Sequence, residues 1–98
     1  MIYLKSKMEI AYLDGNLQEE EPCELTITEG FPGKRSIQVT YDDKKRTYLG
    51  KEEGEGHFVL SSDNGNSHAT LHMFKGGDRL EGRWKEGGQT GFWSIIAR

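Results

Sequence analysis

The sharpest chemistry offered by this chain of 98 residues lies in two histidines and a glutamate. If tight turns at Asn64-Gly65 and Gly76-Gly77 fold the chain back on itself, His57 stands opposite His72 and His72 opposite Glu81, with Ser94 next in the row. Opposed residues on neighbouring strands bring their Cβ atoms to about 5 Å, so two imidazoles and a carboxylate could converge on Zn²⁺. The competing reading is a solvated outer row in which Glu81 offsets any imidazolium charge. It is the stronger one, because an isolated pattern match is weak evidence for a metal. His68 shares the face of His72 but lies ~13 Å away along a strand, too far to ligate the same ion.

Other chemistry finds less support. General acid–base work needs a sheltered pair of titratable groups, and no such cleft is visible in the sequence. Cys23 falls on the inward face of its segment, and no turn presents a serine beside a histidine, so a nucleophile is not expected. These readings predict no enzyme and no cofactor.

Acidic residues form a second constellation. Glu19, Glu20 and Glu21 precede Pro22, and Asp42-Asp43 and Glu52-Glu53 recur downstream. As solvated loops they would be unremarked surface; gathered into one electronegative rim, they would steer a basic protein partner. The net charge of −3, with twelve acids and eight bases in residues 1–56, argues against nucleic acid, whose phosphates demand a dense basic stripe.

These groups must be positioned by strands, since no window shows helical periodicity and short alternating segments recur between turn signals. Asn64-Gly65, Gly76-Gly77 and Gly87-Gly88 each supply the positive φ that two-residue hairpin turns need. Upstream breaks fall at Phe31-Pro32-Gly33-Lys34, at Asp42-Asp43-Lys44-Lys45 and at Glu52-Glu53-Gly54, the last with Gly54 left-handed. About eight strands follow, at 2–13, 22–29, 35–42, 45–51, 55–62, 67–74, 79–85 and 91–97. The expected fold is all-β: one small antiparallel meander forming a closed or nearly closed β-barrel over residues 1–98.

The turns also set a register. Phe58 is expected opposite Leu71, Leu60 opposite Ala69, Met73 opposite Leu80, Leu80 opposite Ile95, Gly82 opposite Trp93 and Trp84 opposite Gly91. All of these share the inner face with Met8, Ile10, Tyr12, Cys23, Leu25, Ile27, Ile37, Val39, Tyr41 and Tyr48. Each tryptophan thus faces a glycine, which leaves room for an indole in a narrow interior. So many bulky rings predict a largely filled barrel.

The segments Leu80-Glu81-Gly82-Arg83-Trp84 and Thr90-Gly91-Phe92-Trp93-Ser94-Ile95, set in such a meander, resemble the small up-and-down barrels of the avidin and lipocalin kind, collectively calycin-like. The resemblance implies a small metabolite bound at the barrel mouth, with Tyr12, Tyr41, Trp84 and Trp93 lining one open end.

Three functions therefore stand as expectations. A protein-binding module using the acidic loops leads, followed by the calycin-like binder of a small molecule, then the metal site at His57, His72 and Glu81. The single cysteine excludes an internal disulfide and favours the cytoplasm, and no apolar run suits a membrane span. Incomplete closure would leave edges at residues 2–13 and 91–97 that could pair in a dimer.

Overall fold

A computed structural model describes residues 1–30, 33–62 and 64–98; the expected break at Phe31 and Pro32 lies outside the described residues. Alternating inward apolar and outward polar residues dictate strands throughout. They are β1 (Ile2–Tyr12), β2 (Leu17–Glu29), β3 (Lys34–Tyr41), β4 (Lys44–Glu52), β5 (His57–Ser62), β6 (Ser67–Met73), β7 (Arg79–Glu86) and β8 (Gln89–Ile96). Each strand pairs antiparallel with the next, and β8 returns to β1, so the sheet is a closed eight-stranded barrel.

Closure is made by six residue pairs from Lys7↔Ile96 to Tyr12↔Gly91. The edges expected at residues 2–13 and 91–97 therefore satisfy one another over Lys7–Tyr12, and the argument for a dimer by edge pairing loses its basis there.

Every expected hairpin register is present: Phe58↔Leu71 and Leu60↔Ala69 between β5 and β6, Met73↔Leu80 between β6 and β7, and Leu80↔Ile95, Gly82↔Trp93 and Trp84↔Gly91 between β7 and β8. The turn between β3 and β4 is shorter than expected. Only Asp42 and Asp43 lie between Tyr41 and its partner Lys44, both with positive φ (51° and 57°), the conformation of a twisted two-residue hairpin turn. Gly54 is left-handed at φ 82°, as its position demanded.

The main departure is β2, which begins at Leu17 rather than residue 22. Pro22 had suggested a boundary because it cannot donate to a ladder. Instead, the β1–β2 register shifts between Ser6 and Met8, and Ser6↔Cys23 and Met8↔Glu20 flank a proline left out of the pairing. A bulge is where a strand tolerates proline. Glu19, Glu20 and Glu21 are consequently strand residues, not a loop.

The core is one cluster along the barrel axis, with Leu25, Ile37, Leu71, Leu80 and Ile95 wholly buried. Ala97 joins it and Ser6 is wholly buried, both unanticipated; the Ser6 hydroxyl accepts from the Arg98 backbone N–H at 3.2 Å. No helix among the described residues is long and apolar enough to cross a membrane.

Candidate ligand site at the barrel mouth

In an up-and-down barrel, the β1–β2, β3–β4, β5–β6 and β7–β8 turns gather at one end. The inward positions nearest that end are Tyr12 at the close of β1, Tyr41 at the close of β3, Arg46 and Tyr48 early in β4, Ser67 opening β6, and Trp84 late in β7. They enclose a cavity of about 370 Å³ whose deeper wall is Met8, Ile10, Val39 and Trp93 and whose outer edge includes Glu86, Gly87 and Gln89. The barrel is packed through its middle and open at this mouth, where rings alone do not close it; a second hollow of about 410 Å³ lies at the opposite end among Ile27, Phe58 and Met73.

All four aromatic residues expected to line one open end, Tyr12, Tyr41, Trp84 and Trp93, do line this cavity. Two edge-to-face contacts hold them: Tyr12 against Trp84 at 5.2 Å between centroids, and Tyr48 against Trp93 at 5.4 Å. Such pairs are favoured by the ring quadrupole and set the shape of the walls. Trp84 lies over Gly91, where an added Cβ would fall 2.6 Å from its Cζ2.

Much of the polar chemistry in the wall is already spent. The Trp93 indole N–H donates to the Thr70 carbonyl at 3.0 Å, the Trp84 N–H to the Phe92 carbonyl at 3.3 Å, and the Tyr12 hydroxyl to Gln18 Oε1 at 3.0 Å. Arg46 stands apart. Its guanidinium carbon lies 4.2 Å from the centre of the Tyr41 ring, while Nη1 is buried with no hydrogen-bond partner among the described residues. Burial pushes the Tyr41 hydroxyl above its ordinary value, partly offset by Arg46; burial and then the Glu86 carboxylate do the same to Tyr48. Both hydroxyls therefore stay protonated, and able to donate, across the physiological range.

Sequence reasoning did not single out Arg46, yet the signal was there. Tyr48 was read as inward, and a strand alternates with period two, so the residue two positions earlier shares its face.

The expected row His57, His72, Glu81 and Ser94 forms in register on the outer wall. Among the described residues no group of three His, Cys, Asp or Glu is placed to hold an ion. The His57 and His72 rings sit 6.2 Å apart, His72 packs edge-on against Phe74 at 4.8 Å, and Glu81 pairs with Arg79 at 3.3 Å. Side-chain packing with residues along and beside the row, which register alone does not reveal, engages His72 and Glu81 with other partners.

The acidic residues are not gathered into one rim. Asp42 and Asp43 turn at the mouth, whereas Glu52 and Glu53 lie at the far end of β4, about 27 Å along an extended strand of nine residues. Glu19, Glu52 and Glu53 also carry their own cations, Lys7, Arg35 and Lys51, each at 3.6 Å. Glu20 accepts a hydrogen bond from Gln18 at 2.9 Å, and Glu21 is exposed on β2. Cys23 is buried, and desolvation, with smaller contributions from Glu20 and Glu21, pushes its thiol up to about 11.

In comparisons with known proteins, no family model, no curated protein and no solved structure matches the chain.

Proposed function

We propose that this protein binds a small organic molecule at the mouth of its barrel. One observation carries the reading: a cavity of about 370 Å³ opens among Tyr12, Tyr41, Trp84 and Trp93, above a core of packed side chains. That volume lies within the range of preformed ligand sites, and an apolar concavity with a few polar groups is what such sites share. Larger hollows exist, such as about 660 Å³ beside Leu49 and Val59 on the outer wall and about 410 Å³ at the opposite end of the barrel among Ile27, Phe58 and Met73, but neither is lined by tyrosine or tryptophan rings. The calycin-like resemblance agrees at the level of architecture, a closed eight-stranded antiparallel barrel.

The acidic-rim reading, in which the protein binds a basic protein partner, has less to rest on. Its charges are divided between the two ends of the barrel and partly paired.

The test is a fragment screen read by NMR, using the indole N–H signals of Trp84 and Trp93 as reporters of the mouth. Hits should perturb these signals and lose affinity in Ser67→Phe, which fills the mouth from a buried position on β6. Binding that leaves both indoles unmoved, or that Ser67→Phe does not weaken while the barrel remains folded, would place the guest elsewhere and sink the proposal.

A further inference from the structure

The wall of the mouth cavity is chemically lopsided. Across β1, β7 and β8 it presents rings whose polar atoms are engaged: the Tyr12 hydroxyl and both indole N–H groups have partners within the barrel. Across β3 and β4 it presents Tyr41, Arg46 and Tyr48, and neither tyrosine hydroxyl joins the side-chain hydrogen bonds found among the described residues. One side of the cavity is thus aromatic and saturated, and the other holds unspent donors.

Arg46 makes the asymmetry consequential. A guanidinium presents five N–H donors, all in its plane. The guanidinium carbon lies over the Tyr41 ring, which stabilises the cation through the ring quadrupole but offers it no carboxylate or carbonyl acceptor. Nη1 is buried without a partner, and Arg46 takes part in none of the ion pairs found among the described residues. A buried donor left unsatisfied is costly, so an acceptor that enters the cavity and draws the guanidinium into contact removes that cost. Two carboxylates act on this wall through Tyr41: Glu20, half-buried on β2 and already accepting from Gln18, and Glu86, exposed at the rim; neither pairs with Arg46.

Resting on the reading of the mouth as a ligand site, we infer that its ligand is a small aromatic or cyclic acid: its ring stacks among Tyr12, Trp84 and Trp93, and its carboxylate is held by Arg46. A carboxylate suits the guanidinium because two parallel N–H···O bonds form at once and each is strengthened by charge. The hydroxyls of Tyr41 and Tyr48 flank that position as neutral donors. The volume limits the guest to one or two rings, since the cavity is near the lower bound of known ligand pockets.

The experiment compares two acids with their neutral amides on the intact protein: benzoate against benzamide, and indole-3-acetate against indole-3-acetamide. Dissociation constants come from NMR titration of the Trp84 and Trp93 indole signals and the Arg46 side-chain signal. The acids should bind about tenfold more tightly than the amides, as expected for a charge-assisted pair. Arg46→Gln should abolish that preference, and Arg46→Lys should retain part of it. Equal affinity of acid and amide in the unaltered protein would overturn the acid inference while leaving the mouth as the binding place. No perturbation at the mouth from any of the four at about 10 mM would overturn both, since weaker binding lies below any specific role. The acid-against-amide comparison needs no variant, so it decides the matter even if Arg46→Gln fails to fold.

Discussion

Trp93 reaches across a strand to bond with Thr70. The indole projects from β8, passes over Gly82 of β7, and its N–H donates to the Thr70 carbonyl on β6 at 3.0 Å. At this level the β6–β7 ladder is interrupted between Ala69↔Trp84 and His72↔Glu81, and the Thr70 hydroxyl accepts from the Arg83 backbone N–H at 3.2 Å. Side chains therefore satisfy backbone groups that the ladder leaves out, as buried polar atoms require. A Cβ at Gly82 would collide with the Thr70 carbonyl oxygen and approach the Leu71 Cα at 3.0 Å. Gly82→Ala should thus cost about 1–3 kcal/mol, the usual range for forcing extra volume into a packed wall. Trp93→Phe should cost a similar amount by leaving the carbonyl unpaired and opening space. Urea denaturation measures both, and a loss under about 0.5 kcal/mol for Gly82→Ala, the size of an ordinary surface change, would show that the approach is not a constraint.

How much of this was legible follows from which physics each feature depends on. The register from β5 to β8 could be read because the pairs fall symmetrically about Asn64-Gly65, Gly76-Gly77 and Gly87-Gly88, although only β7–β8 is joined by a two-residue loop, the other two connections running four and five residues; the Trp84–Gly91 and Trp93–Gly82 pairs came with it. The start of β2 could not, because Pro22 ordinarily ends a strand and the bulge that admits it depends on how Ser6 and Met8 meet β2. The same limit applies at the sites. Alternation placed Tyr12, Tyr41, Trp84 and Trp93 inside, but whether they fill the mouth or frame a cavity is a matter of side-chain rotation. For His57, His72 and Glu81 it gave the row correctly and the packing not at all, since Phe74 and Arg79 take up the ring and the carboxylate.

Cys23 gives the protein an alkaline weakness. Its thiol is buried and raised to about 11 from an ordinary value of 9.0. Between those two values the folded chain keeps the proton that the unfolded chain has lost, so stability is complete below about pH 9 and declines as pH rises through 11. The decline should amount to about 2–3 kcal/mol from this group. Tyr41 and Tyr48, also raised, add in the same direction once pH exceeds 10. Denaturation midpoints measured from pH 8 to about 11 should fall, and Cys23→Ala should flatten the slope without removing the tyrosine contribution. An unchanged slope in that variant would mean the thiol does not titrate differently on unfolding.

The β3–β4 turn stores strain that can be relieved. Asp42 and Asp43 both adopt positive φ, 51° and 57°, which costs a residue bearing a Cβ more than it costs glycine. Both are exposed, so nothing packed is disturbed by changing them. The pair Asn-Gly suits this turn best, because asparagine tolerates the left-handed region and glycine meets no steric penalty there. Asp42→Asn with Asp43→Gly should raise stability by about 0.5–1 kcal/mol. Thermal melting checks it, and a lower midpoint would mean that the aspartate carboxylates hold the turn in some way the backbone angles do not reveal.

Zinc should not stabilise this protein. Ligation by His57, His72 and Glu81 would require donor atoms within about 2.0–2.2 Å of one ion, which draws the three groups to a common point. The imidazole ring centres are 6.2 Å apart and tilted by 43°, and tetrahedral ligation of one ion would draw them closer together. His72 would leave its edge contact with Phe74, and Glu81 would give up the Arg79 guanidinium at 3.3 Å. Each rearrangement is modest on an exposed wall, but together they consume much of the affinity that three ligands could supply. A site that bound zinc with a dissociation constant a hundredfold below the added concentration would stabilise the fold by about 2.7 kcal/mol, enough to shift a melting midpoint by several degrees. Melting with added zinc, beside a His72→Ala control, should show no such shift. A rise that disappears in His72→Ala would demonstrate that the row rearranges into a metal site after all.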